Sequence, residues 1–216
     1  MIATLEGPTK GFASANACVS PHGLRSESAL DTKTIAAIRR RAALEGCKWD
    51  IQVGDVTTLA PFPIVMKRSV WERLAVLAEK LAAEAAAAEE EISHRPEFLD
   101  ELGFPQALRR VLAGTASQTP SAGRVVRFDF HPTIDGWRIS EANSDVPGGF
   151  SEASHFSGMI ADHFPFMQPP GNPSQVWSDV LATEAGPGGV VALLSAPGYM
   201  EDHQVIAFLA ERLRER

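Results

Sequence analysis

Within the stretch RFDFHPTIDGWRISEANSDVPGGFSEAS, which runs from Arg127 to Ser154, Asp129, Glu141 and Asn143 are the side chains whose types and spacing could hold a cation. Mg²⁺ takes hard oxygen ligands and keeps water or substrate phosphate in its remaining positions, so two carboxylates and an amide oxygen suit it. RVVRFDFH and WRISEAN flank a turn containing Asp135 and Gly136, which predicts a β-hairpin. Alternation places Arg127 and Asp129 on one face of the first strand, and Glu141 and Asn143 on one face of the second. The faces coincide if the connection has an odd number of residues. A three-residue loop, Ile134, Asp135 and a left-handed Gly136, satisfies this and sets Asp129 opposite Glu141 and Arg127 opposite Asn143. Like charges directly opposite on a sheet repel, so the pair implies a cation between them. Arg127 could instead neutralise one carboxylate, leaving a surface salt bridge on a structural hairpin.

The following SDVPGGFSEAS adds phosphate chemistry. Gly148 and Gly149 permit close backbone approach, and Ser151 is expected to cap a helix through SEASHFSGMIADHF, whose N-terminus would attract an anion. A Pro-Gly-Gly turn before a capped helix is also ordinary connective structure. Ser154 and His155 raise a hydrolase alternative, but adjacent residues do not normally converge as nucleophile and base, and there is no G-x-S-x-G elbow.

The elements that must carry these groups are legible upstream and downstream. Residues 1–30 read as an irregular lead-in. Asp31 caps a predicted helix with Ile35, Ile38, Ala42 and Leu44 on its apolar face, closed by a left-handed Gly46. KWDIQVGDV reads as a short strand, and LAPFPIVM as an extended, proline-interrupted connection. Ser69 and Glu72 form a capping box for a long helix whose stripe is Trp71, Leu74, Leu77, Ala78, Leu81, Ala85, Ala88 and Ile92, expected to dock on the protein's own core. PEFLDELGF and PQALRRVLAG predict two shorter helices, and TASQTPSAG a linker. Later come a helix around Trp177–Ala185, a buried strand VVALLS and a terminal helix from about Glu201.

Composition narrows the class. With 44% hydrophobic and 22% charged residues the chain is globular, and a net charge of -7 lacks the concentrated Lys/Arg surface a nucleic-acid binder needs. No apolar run approaches the roughly 20 residues of a membrane helix, and MIATLEGPTKG lacks secretory features, so a cytoplasmic protein with no membrane association is expected. Cys18 and Cys47 lack metal-ligand spacing and are expected to be free thiols.

The R-x-D of Arg127 and Asp129, the E-x-N of Glu141 and Asn143 and the P-G-G-F after them resemble the magnesium-binding motif of ATP-grasp ligases. EANSDVPGGFSEAS is similar to D-alanine:D-alanine ligase, and the R-x-D to E-x-N spacing resembles glutathionylspermidine synthase. The order along the chain looks like the circularly permuted ATP-grasp branch, and the resemblance extends over most of the chain from about residue 50. It implies a mixed α/β (α+β) fold: a mainly helical region over 31–114, an ATP-grasp-like metal-binding portion over 123–186, and the start of a Rossmann-like unit over 187–216. It further implies Mg²⁺ on Asp129, Glu141 and Asn143 bridging ATP phosphates, with Arg127 stabilising the transferring phosphoryl group. The substrates would be a small-molecule carboxylate and an amine joined through an acyl-phosphate. The lysines that grip the nucleotide in such enzymes have no counterpart after the motif, so a truncated N-terminal portion, inactive alone, is expected. The competing expectation is a non-catalytic binding or interaction protein with a structural hairpin.

Overall fold

The computed structural model describes residues 2–5, 22–115, 124–144 and 147–216. It is a mixed helix and strand protein, the class the sequence leads one to expect, and about half of it is helical. The TASQTPSAG linker, apart from Thr115, lies outside the described residues.

The chain divides into two compact units. Unit 1 comprises Met1–Trp71, Ile134–Gly136 and Gly148–Arg216, and unit 2 comprises Glu72–Thr133 and Trp137–Pro147. Unit 1 is organised on a four-stranded sheet of order β2-β5-β1-β8, built from β1 (Ile2–Leu5), β2 (Leu24–Ser26), β5 (Ile64–Lys67) and β8 (Met167–Gln168). β1 pairs parallel with β5, Ile2 opposite Ile64, while β2 and β8 pair antiparallel on either side. The 1–30 segment is therefore not an irregular lead-in throughout, because it supplies two strands, one of them central. LAPFPIVM likewise ends in a strand: Val65 and Met66 point to opposite faces and both are wholly buried. Pro63 only forces the residue before it into extended backbone and leaves the strand that follows intact.

Helix α1 (Thr32–Glu45) starts as predicted, with the Asp31 carboxylate accepting the Lys33 and Thr34 amides at 2.9 and 3.0 Å. Its Ile35, Ile38 and Ala42 form a core with Leu59, Phe156, Met159 and Ile160. Two expectations fail here. Leu44 is 71% exposed rather than core. Gly46 is not left-handed: its φ is -101°, and Cys47 takes the positive φ of 51°. Space explains the glycine, since a Cβ there would lie 2.8 Å from the Ala42 carbonyl oxygen and 3.0 Å from the His155 ring. KWDIQVGDV forms no single strand but two two-residue strands, β3 (Gln52–Val53) and β4 (Val56–Thr57), reversed at left-handed Gly54.

Helix α2 (Arg68–His94) follows β5 directly, so Ser69 lies inside the first turn rather than capping it. Of its apolar stripe only Leu74 is buried, and Leu77 is 38% exposed. Helices α3 (Pro96–Glu101) and α4 (Gln106–Thr115) and the hairpin β6 (Arg127–Thr133) and β7 (Gly136–Asn143) complete unit 2.

Back in unit 1, a helix starts at Phe150, widens into a π-helical stretch (Glu152–Phe156) and continues as α5 (Ser157–Ala161). Helix α6 (Pro173–Ala185) packs by its fully buried Ser174 and Ser178, and α7 (Met200–Arg214) buries Phe208 and Leu209. VVALLS between them is not a buried strand. It has strand composition but pairs with no strand among the described residues, and Val190 and Leu194 are 90% and 89% exposed. The Rossmann-like start expected over 187–216 thus has its helix but not its strand.

Candidate functional site

Period-two alternation brings Arg127 and Asp129 to one face of β6, and the contact between them follows. The guanidinium grips the carboxylate with both arms, Nε donating to Oδ1 at 2.8 Å and Nη2 to Oδ2 at 3.1 Å. That hydrogen bonding holds Asp129 below the usual aspartate range; burial opposes it as the next strongest influence, and the Arg127 charge and His131, two residues along the same face, add to the lowering. Ser140 donates to the Asp129 carbonyl oxygen at 3.3 Å, tying β7 to the middle of β6.

Gly136 has φ of 100°, the left-handed residue the turn requires. β6 ends at Thr133 and Gly136 is already the first residue of β7, so Ile134 and Asp135 alone lie between the strands, rather than the three-residue loop the sequence led one to expect. Glu141 is exposed and Asn143 half-buried, two residues apart on β7. The fold therefore unites Arg127 with Asp129 and puts Glu141 and Asn143 on the strand bonded to theirs. Among the described residues no group of three or more His, Cys, Asp or Glu side chains is placed to hold a metal ion, and the sequence-derived set, two carboxylates with an amide, contains only two such groups.

The glycine loop belongs to the other unit. Gly149 is left-handed at φ 87° and its carbonyl accepts the Ala153 amide at 2.9 Å, opening the helix. Ser151 does not cap that helix: its φ and ψ of -64° and -42° are helical, its side chain makes no capping bond, and it is buried over Gly46. The first turn begins earlier than the sequence suggested, so the hydroxyl lies inside it. Ser154 and His155 turn to different partners, the Ser154 hydroxyl accepting the Ser174 amide and the imidazole facing Glu45 at 3.6 Å, which removes the hydrolase pairing.

The most deeply held charge among the described residues was not visible in the sequence. Lys48, 9% exposed, places its ammonium 2.8 Å from Asp50 Oδ1 and 2.6 Å from Glu152 Oε1. Burial alone would lower the lysine's pKa, but the two carboxylates outweigh it and hold Lys48 above its ordinary value. Buried Gln204 accepts the Trp49 amide at 2.7 Å and braces the same segment. Lys48 and Glu152 are a hundred residues apart in sequence, so no local pattern could announce their meeting.

No family model, curated protein or solved structure matches this chain.

Proposed function

We propose that this chain carries the metal-binding portion of an ATP- and Mg²⁺-dependent ligase that joins a carboxylate to an amine through an acyl-phosphate. The observation that carries the reading is the placement of R-x-D and E-x-N on two hydrogen-bonded strands joined through left-handed Gly136. Asp129, Glu141 and Asn143 are the residues that would hold Mg²⁺, whose chemistry is to neutralise the charge on the ATP phosphates. A cation held there would take over from the guanidinium as the counter-charge to Asp129. Arg127 is the residue that would face the phosphoryl group as the substrate carboxylate attacks γ-phosphorus and ADP departs. An amine then displaces phosphate from the acyl-phosphate. Gly148 and Gly149 are the residues proposed for phosphate or substrate; Ser151, buried inside the first helical turn, is not carried forward. Positioning and charge carry such a transfer, so no protein nucleophile is required.

The test is a titration with Mg²⁺, with and without ATP, followed by the backbone resonances of residues 127–143. Saturable shifts that disappear in Asp129→Asn and Glu141→Gln support the reading. Unchanged resonances at about 10 mM Mg²⁺, well above the range in which carboxylate sites fill, overturn it. The second reading, an interaction protein with a structural hairpin, is favoured by one observation: the Arg127–Asp129 fork already satisfies that carboxylate. The same titration separates the two.

A further inference from the structure

Leu44 is where the expected core and the observed surface part company, and its surroundings explain what the side chain is doing outside. The outward face of α1 presents Ala36, Arg40, Ala43 and Leu44 at helical spacing. Opposite lie Ile51 and the β3–β4 hairpin, and the two sides enclose an open trough of about 600 Å³ lined by Ala36, Arg39, Arg40, Ala43, Leu44 and Ile51. On the hairpin side Gln52 and Thr57 complete the lining.

The trough is also positively charged, in a chain whose net charge is -7. Arg41, their neighbour on α1, is neutralised by Glu45. Arg39 and Arg40 take part in no ion pair among the described residues. Arg39 spends Nη2 on the Thr57 hydroxyl and the Leu59 carbonyl, at 3.1 and 2.7 Å, while its Nε is buried without a hydrogen-bond partner. A buried donor left unmade carries a desolvation penalty that an acceptor reaching it would relieve.

We propose that this trough docks an acidic peptide segment of a partner protein, an apolar anchor lying on Leu44 and Ile51 and neighbouring carboxylates meeting Arg39 and Arg40. A small ligand of this volume would ordinarily be enclosed over most of its surface. A trough open to solvent suits a peptide, which buries one face and leaves the other in water.

The experiment is a methyl-detected NMR titration of the full chain with a synthetic peptide of about three helical turns, leucines at i, i+4 and i+7 and glutamates elsewhere. A second peptide carries lysine for every glutamate, and decanoate serves as the small-ligand arm. Saturable shifts of the Leu44 and Ile51 methyls with the acidic peptide are expected, weakened about tenfold or more by Arg40→Glu and by Leu44→Glu. Both side chains are exposed, so both variants should keep the wild-type melting midpoint. Equal binding of the lysine peptide, shifts that map elsewhere, or affinity unchanged in both variants overturns the proposal. Saturation of the same methyls by decanoate but not by the acidic peptide also overturns it, and assigns the trough to a small amphipathic carboxylate.

Discussion

The two units bury themselves by different means. Unit 1 holds nearly all the core, with α1, the π-helical stretch, α5 and α7 contributing Ile38, Phe156, Ile160 and Phe208 at 3% exposure or less. Unit 2 buries only Leu74, Leu99 and Pro147 among its described residues, and its visible ties are ionic: Arg95 with Glu91, Arg109 with Asp100, Arg124 with Glu89, Arg127 with Asp129. The candidate metal ligands thus belong to the unit with the lesser apolar burial of its own.

The sharpest way to break the comparison is to remove one cation from each unit. Lys48→Met strands two carboxylates beside an apolar side chain and should cost about 3–5 kcal/mol, as breaking buried pairs does. Arg127→Met, at a pair that water still reaches, should cost less than about 1 kcal/mol. Urea unfolding of both variants measures the contrast. Similar values would mean that the depth of the Lys48 cluster does not govern its energetics.

Apolar truncation comes next. Ile160→Ala removes a side chain from the centre of the unit 1 core and should destabilise by about 2–4 kcal/mol. Leu81→Ala on the half-buried stripe of α2 should cost about 1 kcal/mol or less. A larger effect at Leu81 would show that the α2 stripe is covered in solution.

Ligand linkage sharpens the contrast from the other direction. If Mg²⁺ binds the hairpin, a concentration a hundred times the dissociation constant adds about 2.7 kcal/mol to whatever unfolds with the site. Hydrogen exchange should then slow in β6 and β7, with no slowing in Asp129→Asn. Slowing that persists in Asp129→Asn would place the ion elsewhere.

What was legible in the sequence was local. The Asp31 cap with Ile35, Ile38 and Ala42, the left-handed Gly136 and the shared face of Arg127 and Asp129 are each fixed by residues close to one another in sequence. What was hidden depends on distant partners. β1 becomes a strand because Ile64–Lys67, some sixty residues away, lies beside it, and VVALLS fails to become one for want of such a neighbour. Gly46 was read as a conformational residue when its role is to leave room for His155 and Ser151. At the candidate site, strand membership followed from alternation, whereas the Lys48–Glu152 contact and the uncapped Ser151 follow from packing of the whole unit.

Proton sensitivity gives the smallest effect and separates the units by pH range. His155 lies between α1 and α7, facing Glu45 and Arg41 from the one and Phe208 and Arg212 from the other, with Nε2 buried and without a hydrogen-bond partner. Burial pushes its pKa below the ordinary 6.5, with Arg212 and Arg41 adding to the shift and Glu45 opposing it. As pH falls the unfolded chain therefore takes up this proton first. The stability of the neutral imidazole is complete above about pH 6.5 and is lost progressively below it, until the folded form protonates too. Asp129 is depressed instead, so its contribution is present above the usual aspartate range and lost only as pH falls through its lowered value. Urea unfolding across this range should show a decline beginning near pH 6.5 that His155→Gln flattens and Glu45→Gln steepens, since the latter removes the charge that favours the imidazolium. Asp129→Asn should leave that decline unchanged and alter only the acid limb; a decline near neutrality that vanished in Asp129→Asn would assign the proton to the hairpin rather than to the core.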